Sequence, residues 1–253
     1  MKPHGKTLSA LSFAIMTISM PTSQAAQGQA NPRPLDEWSY QALYQQGGIR
    51  AETLLNTKAI GAQGNVVGTI ENIILDEENQ IVTLIAEVGG MWESGDRHVS
   101  IPWGEAQLGQ EGVRIPVRED NVEDYNLFND EYVDDAYIFK GDLEKSTQVE
   151  SDVMTGPRIW KITDIIDDFA SLGKDTGVGY ITDALFTRDG VMQAIVVKPS
   201  SAEFGNGPYA YPFYGHPDDW QPGAMHYELP YPRESLSDMP AFDYEKYDSL
   251  WNG

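Results

Sequence analysis

The side chains most able to do chemistry in this chain are acids with a few histidines. His216, Asp218, Asp219 and His226 lie within eleven residues and bring imidazole nitrogens and carboxylate oxygens together, the donors of an N/O metal cluster. In a chain with 39 acidic residues, however, an aspartate beside a histidine is also expected by chance. Asp130, Glu131, Asp134 and Asp135 form a second, all-oxygen cluster suited to weak calcium binding. Its alternative is a solvated acidic face, and the spacing of an EF-hand loop is absent. Paired carboxylates could serve glycoside-type hydrolysis, but no pair is singled out. No nucleophile-elbow serine, zinc-protease or phosphate-loop motif occurs. The chain has no cysteine, which removes thiolate metal sites, cysteine nucleophiles, lipid anchoring through cysteine and disulfides. We therefore expect no enzyme, no catalytic residue and no cofactor, with an envelope hydrolase as a remote alternative.

Two of four notable aromatic residues suggest recognition instead. Trp92 sits in the loop from Gly89 to Arg97 and Trp220 in the loop from His216 to Pro222, irregular segments where an exposed indole can anchor a partner. Packing within the loops is the competing role. Trp103 and Phe213 each follow a proline at matching places, which points to the core.

Those places match because the chain repeats itself. Leu54–Ala86 lies over Ile165–Val197 at a constant offset of 111 without a gap. Gly68 falls on Gly179, and Pro102-Trp103 meets Pro212-Phe213. Val- and Ile-rich runs at 66–75 and 81–88, separated by the turn Asp76-Glu77-Glu78-Asn79, read as a hairpin. Asp189-Gly190 stands where Glu78-Asn79 stood, and both suit a turn with positive φ. Glycine inside a strand, as at 68 and 179, marks a bulge or bend of the kind small barrels use to close.

The segments divide as 1–25, a signal peptide; 26–48, a lead-in with a short helix over Leu35–Tyr44; 49–118, a first small β unit; 119–156, an acidic connector; 157–232, a second unit; and 233–253, a tail whose aromatics dock it on the surface. Lys2 and Lys6, the apolar run Leu8–Met20 and the site Ser23-Gln24-Ala25 predict export, with cleavage after Ala25 and a periplasmic location. That run is too short to span a bilayer. Cleavage would take the net charge from −22 to −24. So negative a surface disfavours nucleic acid and anionic membranes and favours cations or basic partners, although a saline habitat selects the same composition.

Val66-Val67-Gly68-Thr69-Ile70-Glu71-Asn72, the acidic turn, the strand to Val88, Gly89-Gly90 and Ile101-Pro102-Trp103 resemble the PRC-barrel family. That family is named for the photosynthetic reaction centre H subunit and includes the C-terminal domain of the ribosome maturation factor RimM. The resemblance implies a small β-barrel; with the repeat, and units too small to hold a stable core alone, the expected fold is mainly β, two tandem PRC-type barrels packed with pseudo-two-fold symmetry, the second more divergent. It implies assembly or protein binding and no shared catalytic residue. The expected function is a periplasmic adaptor that binds an envelope protein through the Trp92 and Trp220 loops and the groove between repeats. The alternative is a low-affinity divalent-cation binder acting in the envelope or in stress.

Overall fold

A computed structural model describes residues 34–89, 97–125, 147–148, 154–155, 159–172, 176–214, 224, 226–236 and 239–247. The protein is mainly β. In the first unit β1 (Ile49–Arg50) leads into a one-turn helix α2 (Ala51–Leu54), β2 (Lys58–Ile60), β3 (Val66–Asp76) and β4 (Ile81–Val88). After these come β5 (Arg97–Pro102), β6 (Gln107–Gly109) and β7 (Gly112–Arg114). The sheet runs β5-β4-β3-β2-β7-β6. Alternation decides its faces: Leu84, Ala86 and Val88 of β4 point into the core, while Glu87 between them is half-buried on the other face. A small pair, β8 (Thr147–Gln148) and β9 (Met154–Thr155), precedes the second unit.

The second unit reproduces this plan. It comprises β10 (Ile159–Lys161), β11 (Phe169–Leu172), β12 (Thr176–Phe186), β13 (Met192–Pro199), β14 (Tyr209–Pro212) and β15 (His226–Glu228), with sheet order β14-β13-β12-β11-β15. The likeness extends to irregularities. The β3–β4 ladder slips between Ile70 and Asn72, and the β12–β13 ladder between Ile181 and Asp183, the same step 111 residues on. Asn56 and Asp167 both have positive φ, as do Asn79 and Gly190 in the hairpin turns. Gly68 and Gly179 each flank a bulge. A Cβ on Gly68 would lie 1.7 Å from the Glu87 carbonyl oxygen, and one on Gly179 2.0 Å from that of Lys198. Close backbone approach, not φ, demands glycine there. Pro102 and Pro212 end β5 and β14 opposite Thr83 and Ala194, again equivalent positions.

What joins the units is an exchange of leading strands. β1, which opens the first unit, pairs with β12 of the second, Ile49 opposite Phe186. β10, which opens the second, pairs with β3 of the first, Trp160 opposite Leu75. The hairpin turns also exchange hydrogen bonds: Ile81 N donates to Gly190 O at 2.9 Å and Met192 N to Asn79 O at 3.0 Å. Gln80 and Val191 form a bridge between equivalent residues, so the pseudo-two-fold axis passes there. One continuous core includes Ile49, Leu54, Leu84, Trp160, Ile181 and Phe213. The groove expected between repeats is therefore packed interior. Phe213 is buried against Trp160, while Trp103 stays half-buried and donates its indole N–H to Asp189 O in the opposite unit's turn.

Behind each exchanged strand lies a polar contact. Asn72 Nδ2 donates to Thr163 Oγ1 at 2.9 Å. At the equivalent place Asp183, wholly buried, accepts from Arg50 Nε at 2.9 Å, Glu52 N at 3.0 Å and Ala184 N at 2.9 Å. Burial pushes its carboxyl up to about 6, against the pull of Arg50 and those donors.

The expected helix over Leu35–Tyr44 begins later. The first helix, α1, spans Tyr40–Gln46, because Ser39 takes the cap position and its hydroxyl accepts from Gln41 N. Trp38 just before it is held in place by donating its indole N–H to Ala210 O at 2.8 Å. Gly47, at φ 58°, ends the helix. The C-terminal tail docks as expected. Its short helix α3 (Tyr244–Tyr247) and Phe242 pack with Tyr40 and Leu43 on the outer face of the second sheet, over Leu185 and Val196. The Tyr244 ring lies 4.0 Å from the Arg50 guanidinium.

Arg50→Met leaves Asp183 a buried, uncompensated charge, and urea denaturation at pH 7.5 should show a loss of about 3–5 kcal/mol. Asp183→Asn should cost less than about 1.5 kcal/mol, since asparagine already serves at position 72. Equal losses would mean the pair does not act as described.

Candidate functional site

Among the described residues, the densest set of ligand-type side chains lies on the outer face of the first sheet. Glu87 of β4 stands directly opposite His98 of β5 in the ladder. Glu71 of β3 is the extra residue of the bulge between Ile70 and Asn72. A bulge re-aims a side chain, and here Glu71 Oε2 lies 3.0 Å from His98 Nε2. One donor atom from each of Glu71, Glu87 and His98 can be chosen so that all lie within 4.8 Å of one another, and all three residues are half-buried. Composition and motif spacing do not single out these three residues. The signal that could have found the trio was register: pairing β4 with β5 brings Glu87 to His98.

A second acidic group lies in the other unit. Asp168, just before β11, has a buried Oδ2 that accepts no hydrogen bond. Burial, followed by the charge of Asp164, raises its carboxyl to about 6; His226 pulls it down and Asp167 adds to the rise. His226 is exposed on β15, beside β11. The structure thus associates His226 electrostatically with Asp168. Its expected companions His216, Asp218 and Asp219 lie outside the described residues, as do Trp92, Trp220, Asp130, Glu131, Asp134 and Asp135.

The third feature is a groove of about 890 Å³ between residues 34–40 and residues 230–240, lined by Pro34, Trp38, Pro230, Tyr231, Pro232 and Pro240 among others. Asp36 adds a carboxylate to the lining, and Pro34, Asp36, Pro232 and Pro240 are exposed. Tyr231 is anchored from below by its hydroxyl contact with Tyr214, 3.1 Å. No helix among the described residues is long and apolar enough to cross a membrane.

Residues 46–122 match the family described as the PRC-barrel domain. The match takes in β1 to β7 with the Glu71, Glu87 and His98 trio, and ends before the second unit. No curated protein matches the chain.

The raised Asp168 carboxyl has a defined consequence. An unfolded aspartate titrates near 3.8 and this one near 6, so between about pH 4 and 6 the folded state keeps a proton the unfolded state has lost. Its contribution to stability therefore falls as pH rises through that window and stays lowered above it. Asp168→Asn should raise the melting temperature at pH 7.5 and leave it nearly unchanged at pH 4. A variant that melts like the parent at both pH values would rule out this origin.

Proposed function

We propose, from the PRC-barrel domain that residues 46–122 form, that this chain is an exported, non-catalytic adaptor that binds another envelope protein. In this reading the second unit is a divergent second copy of the same domain. The exchanged strands make the pair one rigid platform, not two beads on a string. The observation that carries the reading is the groove between residues 34–40 and 230–240. Prolines and aromatic faces offer large contact area with little side-chain entropy to lose, the surface on which extended peptides dock. The occupant that fits is an extended partner segment bearing lysine or arginine. Asp36 lies in the groove, and the whole chain carries a net charge of −22. The leader pattern before Ala26 supports an encounter in the periplasm.

The test uses the full chain expressed in its own cell. The mature N-terminus should be Ala26 in the periplasmic fraction. Crosslinking there should capture a discrete protein whose recovery falls at least about tenfold with Pro232→Arg combined with Asp36→Lys, a pair of exposed substitutions that spare the core. Trp92→Ala and Trp220→Ala form the second arm. Loss confined to those variants would keep the adaptor and move its surface to the tryptophan loops. Failure to capture any partner, in an extract where a known periplasmic complex is recovered, would overturn the reading.

A further inference from the structure

We infer that Glu71, Glu87 and His98 form a binding site for a divalent transition-metal ion of the zinc class, on the outer face of the first sheet and independent of the partner groove. The donors come from three adjacent strands, β3, β4 and β5. Rigid elements hold ligands better than loops do. In a tetrahedral zinc site with bonds of about 2.0–2.1 Å, neighbouring donor atoms stand about 3.3–3.4 Å apart. Here the Glu71 and His98 atoms are 3.0 Å apart, and all three donors fall within 4.8 Å. Side-chain rotation alone can close the set around one ion. Three protein donors leave a fourth position open to water, and half-burial keeps that position accessible.

The identity of the donors selects the metal. One imidazole with two carboxylates suits zinc and its neighbours, whereas calcium and magnesium take all-oxygen shells. The two carboxylates also balance the ion's charge.

The second unit supplies an internal comparison. The positions equivalent to Glu71, Glu87 and His98 hold Thr182, Lys198 and Pro208. The bulge, the hairpin and the third strand form there without any of the donors. The trio is therefore no requirement of the fold. Where the first unit has the Glu87 carboxylate, the second carries a cation of its own in Lys198. In the first unit a bound ion would tie the edge strand β5 to β3 across β4.

The probe is zinc chloride, titrated calorimetrically into the full mature chain at pH 7.5. One ion per chain should bind, and the melting temperature should rise with zinc by mass action but not with the same concentration of calcium. Glu87→Gln and His98→Gln should each weaken zinc binding by at least about tenfold, the lower range for disturbing even a metal site's outer partners. Both variants should melt like the parent without metal; if either does not, Glu71→Gln takes its place. Binding should weaken on acidification, because the imidazole must be deprotonated to ligate. His216→Ala with His226→Ala should leave it intact. Zinc binding unchanged by the Glu87 and His98 variants, lost in the His216 and His226 variant, or absent altogether would overturn the assignment.

Discussion

The reciprocal exchange of β1 and β10 is the constraint on which the rest of the molecule depends. A unit of about seventy residues buries too little apolar surface for a robust core. Here neither unit has to stand alone. Ile49 and Trp160 insert into the opposite sheet at equivalent points, and the core cluster runs through both units. Separating them would expose Trp160 and Ile49, both fully buried, and break two ladders at once. Cooperativity follows from the topology: whatever loosens one sheet removes a strand from the other.

The same topology explains where the two units are free to differ. Positions that meet across the axis or flank a close backbone approach are held alike: the paired glycines at 68 and 179, the positive-φ turn residues at 79 and 190, and the bulges at 71 and 182. Behind the exchanged strands the contact is kept but its chemistry changes, from the neutral Asn72–Thr163 bond to the Arg50–Asp183 ion pair. On the outer faces nothing forces a match. The second sheet is covered by α1 and the C-terminal tail, whereas the first displays Glu71, Glu87 and His98. Divergence has thus gone to the surfaces, where a pseudo-symmetric scaffold can offer two different functions without disturbing its core.

Charge shapes both surfaces. With 39 acids against 17 bases the chain cannot neutralise itself, and two of its basic residues are committed to internal pairs: Arg50 at the strand exchange and Lys161 buried beside Asp164 at 3.7 Å. The acids that remain raise the affinity of any cation or basic segment. Ionisation of Asp168 and Asp183 is the part of that acidity which folding itself disfavours, since both carboxyls are raised chiefly by burial.

By itself the sequence determined the local plan. The offset of 111, the hairpin turns at 79 and 190, the strand glycines and the proline-ended strands are all legible in residue order, because turn chemistry and period-two patterning act between near neighbours. The resemblance of 66–103 to a PRC-barrel rests on those same local features and is met by the match over 46–122. Helix α1 starts later than hydrophobic spacing predicts because Ser39 and Trp38 act through contacts that spacing does not reveal. Only the tertiary structure decided which sheet β1 and β10 would join, since two residues of strand carry too little pattern to choose between equivalent edges. It alone brought Glu71, Glu87 and His98 together and joined Pro34 to Pro240 in one groove. Such sites are made by register and chain return, which are settled by burying the whole core at once and leave no mark on neighbouring residues.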